Sequence, residues 1–427
     1  MTARTAVESR EHSRRGLVGV GLGLGFLMVL ALAIRSLGFE FVFVGDQIVF
    51  PPADAQYHLR RAFYTFVNFP SVLFFDPYIN YPGGAPVPWP PLFDFVLGGV
   101  ARALAADSRG FEQVAAWAGP VCGALTVIPV YRAGSLLASR GVGFTAGLVY
   151  ACLPISVVYS RVGNPDHHAA VAMLGAWLLL ACLGLAQREA SGHRARRWGL
   201  LLAAAQTGLL LCWHGSLLYV GLANALLLGV GVLWGRPRAL LAQAGAAAAS
   251  GLLLVPLLLI APEPLGGRYS AIALSWLHVL ACWAVACLAG GLWASQRRVP
   301  NGGFRHRLGV AASGGGALLA TAMLVPELRA GLEPAFQFLT QADGVGAVTG
   351  EQNALFGVSS GVPGANPVRS WGWLVYAIPF APAAVFGLAR TRGTEKTSGA
   401  SALLLGFWGL FFALLTLGQR RYGNDFA

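Results

Sequence analysis

The sequence predicts an all-α polytopic membrane protein, and three observations favour this fold class. Of the 427 residues, 56% are hydrophobic and only 11% are charged, whereas soluble domains carry about 25% charged residues. The apolar residues form many runs of about 20, the length that a helix needs to cross a bilayer. The basic residues lie in short clusters between these runs. A single soluble core stops growing near roughly 250 to 300 residues, so these features argue against a water-soluble fold.

About eleven runs have the length and apolar character of spanning helices. The first follows Arg14 and Arg15 and is longer than the core of a signal peptide, so we interpret it as an uncleaved span. The predicted spans are Gly16–Ile34, Val114–Tyr131, Gly141–Tyr159, Ala169–Ala186, Trp198–Trp213, Ser216–Trp234, Ala239–Ala261, Ala271–Ala294, Leu308–Pro326, Trp371–Ala389 and Gly399–Leu417.

The arginine clusters predict the orientation of these spans, because Lys and Arg are enriched in cytoplasmic loops. With the amino terminus inside, every basic cluster falls on the cytoplasmic side. The formal net charge of +12 therefore reflects topology, and we expect no nucleic-acid partner. The clusters are Arg10/Arg14/Arg15, Arg132/Arg140, Arg188/Arg194/Arg196/Arg197, Arg236/Arg238, Arg297/Arg298/Arg305/Arg307 and Arg390/Arg392/Lys396.

Two long external loops follow from this orientation. The first, residues 36 to 113, contains the apolar stretch Pro91–Ala106. We predict that this stretch lies in the outer membrane interface, because a further span would reverse every later loop. The second, residues 327 to 370, is rich in Gly, Pro, Asn and Ser and is predicted to be mobile.

Four side chains on the external face have the chemistry to bind a divalent cation: Asp54, Asp166, His168 and Glu351. Carboxylates suit Mg²⁺ or Mn²⁺, and imidazole shifts the preference towards transition metals. Position alone does not select these four, because other carboxylates share the same face. These are Asp46, Asp76, Asp94, Glu263, Glu327, Glu333 and Asp343.

Each of the four also has a purely structural interpretation. Asp166 precedes an apolar run, where an Asp side chain commonly caps a helix and favours its dipole. Asp54 and Glu351 have the character of solvated loop carboxylates, and His168 that of a hydrogen-bonded interfacial histidine. The residues by themselves leave these alternatives open.

Five short motifs help to decide between these interpretations through their order, their spacing and their location on one face of the membrane. The motifs are Ala53-Asp54-Ala55-Gln56-Tyr57-His58, Phe75-Asp76-Pro77-Tyr78-Ile79-Asn80-Tyr81-Pro82, Ser160-Arg161-Val162-Gly163-Asn164-Pro165-Asp166-His167-His168, Trp213-His214-Gly215 and Gln419-Arg420-Arg421-Tyr422. They resemble the motifs of the catalytic subunit of bacterial and archaeal single-subunit oligosaccharyltransferases, whose membrane domain has the GT-C glycosyltransferase fold.

The resemblance implies roles for individual residues. It assigns Asp54, Asp166 and His168 to a site for Mn²⁺ or Mg²⁺, and Asp54 and Glu351 to catalysis. It assigns Arg421 to the pyrophosphate of the lipid substrate. It also offers Arg161 as a substrate contact, although the segment between Arg161 and Gly163 is shorter than in the family pattern, which argues against that role.

The implied activity is protein N-glycosylation at the external face of a bacterial or archaeal cell membrane. A glycan would pass from a polyprenyl-(pyro)phosphate carrier to the asparagine of an Asn-x-Ser/Thr sequon. The implied partners are the lipid-linked oligosaccharide and the acceptor polypeptide. Residues 1 to 427 would form the GT-C transmembrane domain, without the soluble carboxy-terminal domain that carries the family's Trp-Trp-Asp-Tyr-Gly motif. We therefore expect a fragment that does not glycosylate sequon peptides by itself.

Three other functions remain as alternatives. Another GT-C enzyme would pass a sugar from a polyprenyl phosphate to a lipid or polysaccharide acceptor. A transporter would carry charged residues within its helices and inverted repeats, and neither is evident in the sequence. A non-catalytic membrane scaffold would share the fold without the chemistry.

Overall fold

Long apolar helices form the body of the protein. The structure is a computed structural model that describes residues 3–187, 192–340 and 399–419, with residues 372, 380–381, 383–385 and 422. Two short antiparallel hairpins, β1 (Phe43–Val44) with β2 (Gln47–Ile48) and β3 (Phe75–Asp76) with β4 (Ala85–Pro86), lie between the first helices. The helices are α1 (Ala3–Arg35), α2 (Phe39–Val42), α3 (Ala53–Asn68), α4 (Leu92–Leu104), α5 (Ser108–Leu137), α6 (Arg140–Cys152), α7 (Pro154–Val158), α8 (His167–Ala186), α9 (Gly192–Cys212), α10 (Leu217–Trp234), α11 (Pro237–Ile260), α12 (Trp276–Arg298), α13 (Phe304–Leu324), α14 (Pro326–Thr340) and α15 (Gly399–Gly418).

Eight helices in the described part of the chain are long and apolar enough to cross a membrane. They identify an integral membrane protein, as the composition predicts. The eight segments are Val18–Arg35, Ser108–Leu137, His167–Ala186, His214–Trp234, Pro237–Ile260, Trp276–Arg298, Phe304–Leu324 and Gly399–Gly418.

The predicted count of about eleven spans is not confirmed. The predicted span Gly141–Tyr159 is divided into α6 and α7, because Pro154 has no N–H and its ring disfavours a helical residue before it. Helix α9 carries three arginines in its first six residues and is not one of the eight. The predicted span Trp371–Ala389 lies largely outside the described residues.

The two predicted external loops contain helices. Helix α4 has 13 residues, fewer than the 17 or so that a span requires, and it packs against α3 and α5. The segment predicted as a mobile loop, residues 327 to 370, begins within the helix α14, and its part beyond residue 340 lies outside the described residues. Pro326 is favoured at the first helical position and Glu327 favours the helix dipole, so this start has a local cause.

The helices around α8 form the main core. Helix α8 packs against α5 and α9, α9 packs against α11, and α15 lies against α8 and α10. Helix α1 packs separately on α5 and α6 through the buried side chains of Leu27, Val127 and Tyr150.

Five polar side chains join α9, α10 and α11 within the apolar interior. Gln206 and Thr207 each lie 2.8 Å from the Ser250 hydroxyl oxygen. The Asn224 amide donates to Gln206 Oε1 at 3.2 Å, and the Gln243 amide donates to Asn224 Oδ1 at 3.1 Å. These residues therefore form a structural network between helices and do not line a path through the membrane.

The guanidinium of Arg35, at the end of α1, is buried where α6 ends. Its Nε donates to Ser160 Oγ at 2.7 Å, and its Nη1 donates to the Ala151 carbonyl at 3.2 Å. That carbonyl is one of the last four of α6, which have no partner within the helix. A side chain at Gly123 of α5 would overlap the Arg35 guanidinium, so the glycine makes room for this contact.

We expect Gly123→Ala to destabilise the protein, because the added methyl group must displace the buried guanidinium of Arg35. Gly221→Ala on α10 is the matched control, since a side chain there meets nothing within 4 Å. Alanine is favoured over glycine in a helix by up to about 1 kcal/mol, so the control should match or exceed the wild type. Thermal unfolding in detergent measures both, and equal Tm values for the two variants would contradict the packing.

Candidate functional site

Three consecutive residues at the start of α8, Asp166, His167 and His168, form the centre of the candidate site. Asp166 Oδ1 lies 2.8 Å from His167 Nδ1, and Asp166 Oδ2 lies 3.9 Å from His168 Nε2. Asp166 occupies the position before the helix but makes no capping hydrogen bond with its side chain. The carboxylate faces the histidines, so the helix-cap interpretation of Asp166 does not describe this structure.

The loop that leads to Asp166 is held against α1 and α5. The Val162 N–H donates to the Arg35 carbonyl at 2.9 Å, and the Gly163 N–H donates to the Ala116 carbonyl at 3.0 Å. Gly163 has a φ of +74°, and a side chain there would overlap Val42. Because glycine tolerates this backbone at no steric cost, it fixes the direction in which the chain enters α8.

Helix α3 contributes His58, whose ring is held from behind by a buried carboxylate. His58 Nδ1 lies 2.7 Å from Asp94 Oδ1, and Arg61 Nη1 donates to Asp94 Oδ2 at 2.6 Å. A carboxylate only accepts hydrogen bonds, so Nδ1 is the donor and Nε2 points away from Asp94. His58 Nε2 lies 2.8 Å from His167 Nδ1 and 3.7 Å from Asp166 Oδ1.

The charges of the site oppose the effect of burial. Burial lowers the pKa of His58, but the charge and hydrogen bond of Asp94 outweigh it and raise that pKa above its usual value. Burial raises the pKa of Asp166, but His168 and His167 outweigh it and hold that pKa well below its usual range. Asp166 is therefore ionised at neutral pH.

The arrangement is suited to a bound cation. One donor atom from each of His58, Asp166 and His167 lies within 4.8 Å of the other two, and all three residues are buried. Metal ligands at about 2.0 to 2.2 Å from one ion have comparable separations. Among the described residues, His167 Nε2 is buried without a hydrogen-bond partner.

Aromatic rings enclose the histidines. The ring centroid of Trp213 lies 6.2 Å from those of both His167 and His168. Tyr159 approaches His168 edge-on at 5.3 Å, and Phe93 approaches His58 edge-on at 5.5 Å. Trp213 of the predicted Trp213-His214-Gly215 motif therefore forms one wall of the site, which lowers the polarity around the ionised groups.

Two of the predicted site residues, Asp166 and His168, are adjacent in the structure. Asp54 lies in the first turn of α3 with an exposed side chain. It is one turn before His58, so the two share a face of the helix. Arg161 is also exposed.

Glu351 and Arg421 lie outside the described residues. Tyr422, which follows Arg421, is buried with its ring centroid 6.5 Å from that of Phe412 in α15. The roles assigned to Asp54, Asp166, His168, Glu351, Arg161 and Arg421 remain predictions.

Sequence reasoning overlooked His58, His167 and Asp94 as parts of the site. The four-residue spacing from Asp54 to His58 on a predicted helix was a signal for His58, and the neighbouring histidine of the same motif was a signal for His167. Asp94 carried no such signal, because its contact with His58 joins two helices that are separate in the chain.

Two archaeal proteins resemble the chain in sequence. Dolichyl-phosphooligosaccharide-protein glycotransferase 1 of Archaeoglobus fulgidus is 30% identical over 146 residues, which is 34% of this chain and 23% of the relative. Dolichyl-monophosphooligosaccharide–protein glycotransferase AglB of Haloferax volcanii is 28% identical over 195 residues, which is 41% of this chain and 18% of the relative. No family model matches the chain.

Solved structures of the Archaeoglobus fulgidus oligosaccharyltransferase share the fold. The complex with an inhibitory peptide and a dolichol-phosphate has a TM-score of 0.81 at 19% identity, covering 96% of this chain and 48% of that one. The complex with Zn and sulfate has a TM-score of 0.71 at 20% identity, covering 95% and 47% respectively. The chain thus spans about half the length of the structures that it matches.

The sequence matches agree with the family that the motifs resemble. The solved structures agree with the predicted GT-C architecture. The sequence matches are all to archaeal glycotransferases that act on proteins. The chain is therefore similar in sequence to archaeal protein glycotransferases and in fold to the Archaeoglobus fulgidus oligosaccharyltransferase.

Proposed function

We propose that the chain forms the membrane part of an oligosaccharyltransferase, which moves a glycan from a polyprenyl-(pyro)phosphate carrier to an acceptor asparagine. The observation that carries the proposal is the buried cluster of Asp166, His167 and His58 within the fold of such enzymes. The neighbour with a TM-score of 0.81 holds an inhibitory peptide and a dolichol-phosphate, which supports a peptide and a lipid phosphate as the substrates. A lipid or polysaccharide acceptor receives no such support.

The proposed site lies at the external face of the membrane. Asp166 stands at the start of α8, whereas the basic residues Arg194, Arg196 and Arg197 stand at the start of the following helix, beyond the far end of α8. Arginine-rich loops are retained in the cytoplasm. The opposite end of α8, with the histidine cluster, would then face outward.

Asp166, His168 and Asp54 are the residues that the family resemblance assigns to a divalent cation, and the structure adds His58 and His167 as neighbouring donors. When bound, such a cation would supply positive charge that stabilises the departing phosphate. A donor set with imidazole nitrogens favours Mn²⁺ over Mg²⁺. The Archaeoglobus fulgidus enzyme in complex with Zn and sulfate supports a transition metal in this family.

The remaining residues act on the acceptor and the leaving group. An asparagine amide is a poor nucleophile, because its nitrogen lone pair is delocalised into the carbonyl. Carboxylates at Asp54 and Glu351 would accept hydrogen bonds from the amide N–H groups and orient the nitrogen towards the sugar. Arg421 would hold the pyrophosphate by charge-assisted hydrogen bonds.

Asp94 would position His58, since a carboxylate behind a ligating histidine fixes both its tautomer and its ring orientation. Arg61 in turn donates a hydrogen bond to the other carboxylate oxygen of Asp94.

Asp166→Asn should abolish most transfer by the full-length protein, because the amide removes the negative charge from the histidine cluster and the carboxylate caps no helix. Asp107→Ala is the matched control. Asp107 does cap a helix, accepting from the Gly110 N–H at 2.8 Å, and losing a cap costs about 1 kcal/mol. The control should therefore lose Tm and keep its activity in a glycopeptide assay. Wild-type transfer rates for Asp166→Asn would refute the catalytic role of this motif.

Metal content gives a test that does not depend on transfer. His58→Ala and His168→Ala should each reduce the Mn²⁺ retained by the purified protein, measured by mass spectrometry of the metal. Asp94→Asn should weaken binding by about tenfold or more through the orientation of His58. His193→Ala, an exposed histidine on α9, is the control and should bind as the wild type does. Unchanged metal content in all variants would exclude this cluster as the metal site.

Asp54→Ala and Glu351→Ala should each remove most transfer, and the double variant should be little worse than either single one. Groups that act on one reacting nitrogen as a unit are strongly non-additive. The measurement is a double-mutant cycle on kcat/KM with a sequon peptide. Additive losses would show that the two carboxylates act independently and would argue against a shared role.

A further inference from the structure

A cavity of about 570 Å³ lies at the end of the helix bundle opposite Asp166. Its walls come from the end of α8, the connection between α10 and α11, and the last turns of α12. Helix α8 is 20 residues long, which corresponds to about 30 Å at 1.5 Å per residue. The cavity is therefore separate from the candidate transferase site.

The polar lining of this cavity is basic. Arg236, Arg238 and Arg297 line it, and none of the described residues around it is acidic. The Arg297 guanidinium carbon lies 5.7 Å from the ring centroid of Trp293, which also lines the cavity. Three permanent positive charges thus line one cavity.

A fourth arginine nearby, Arg307, has a purely structural role. Arg307 Nε donates to the Val232 carbonyl at 2.7 Å, and its Nη2 donates to the Leu233 carbonyl at 3.3 Å. These contacts close the carboxy-terminal end of α10, whose last carbonyls lack partners within the helix. Arg307 does not line the cavity, whereas Arg238 and Arg297 do so with exposed side chains.

The rest of the lining is apolar, and its composition matches an amphiphile at the membrane surface. Leu185, Leu241 and Trp293 contribute apolar walls, and tryptophan is enriched at the boundary between the bilayer and water. The arginine clusters place this end of the bundle at the cytoplasmic leaflet. Basic cavities between helices at that depth are suited to anionic lipid headgroups.

We propose that this cavity binds a phosphate group, carried by the headgroup of an anionic phospholipid or by a soluble phosphate. The arginine guanidinium matches phosphate oxygens with paired N–H donors. The first turn of α11 begins at the cavity, and its dipole adds to the attraction for an anion. The apolar walls take the glycerol and the upper acyl carbons if the phosphate belongs to a lipid.

The test uses the full chain and reads binding directly, without any transfer assay. Purified protein in detergent is titrated with phosphatidylglycerol, with phosphatidylcholine or with inorganic phosphate, and the increase in Tm gives an apparent affinity. Native mass spectrometry counts the lipids retained. We expect phosphatidylglycerol to stabilise the protein and phosphatidylcholine to have little effect. Stabilisation by inorganic phosphate as well would identify the phosphate group itself as the part that is recognised.

The matched variants separate this cavity from general surface charge. Arg238→Gln with Arg297→Gln removes two lining charges from exposed positions, so folding should be preserved. Arg298→Gln with Arg305→Gln removes two exposed charges of the same cluster outside the lining. The first pair should weaken phosphatidylglycerol binding by about tenfold or more, and the second should leave it nearly unchanged. Equal losses in both pairs, or no preference for phosphatidylglycerol over phosphatidylcholine in the wild type, would overturn the proposal.

Discussion

The geometry of the site depends on the hydrogen bonds of Arg35. Its buried guanidinium donates to the Ser160 hydroxyl and to the Ala151 carbonyl, and its backbone carbonyl accepts from the Val162 N–H. One residue thus holds both the broken end of α6 and the loop that enters α8. A buried arginine is tolerated only when its donors are satisfied, so the break at Pro154 and the position of Asp166 are fixed together.

The second constraint comes from α3 and α4, which meet through Asp94. Its carboxylate binds His58 on one side and Arg61 on the other, and all three side chains are buried. Breaking a buried pair of this kind leaves an uncompensated charge. Helices α3 and α4 are therefore held in one register, and that register delivers His58 to the start of α8.

The all-α membrane character followed from composition and from the length of the apolar runs, because a run of about 20 apolar residues is typical of a membrane-spanning helix. The GT-C architecture was implied by the resemblance of the motifs. The apolar run after Asp166 predicted a helix there, and α8 begins at His167. The sequence did not distinguish a helix cap from a ligand at Asp166, since that depends on where the carboxylate points. It also did not pair Asp94 with His58, because these residues lie on helices that are separate in the chain. The break at Pro154 has a local cause, but the continuous apolar run from Gly141 to Tyr159 predicted a single span.

The amide network of Gln206, Asn224 and Gln243 has a consequence for biogenesis. Each of these side chains is buried in the apolar interior on its own helix, and a buried amide without a partner is unfavourable. The partners lie on α9, α10 and α11, which follow one another in the chain. These three helices are therefore expected to leave the translocation machinery as an associated group. The ribosome synthesises them in the order α9, α10, α11, so each amide meets its hydrogen-bond partner on the next helix in the chain.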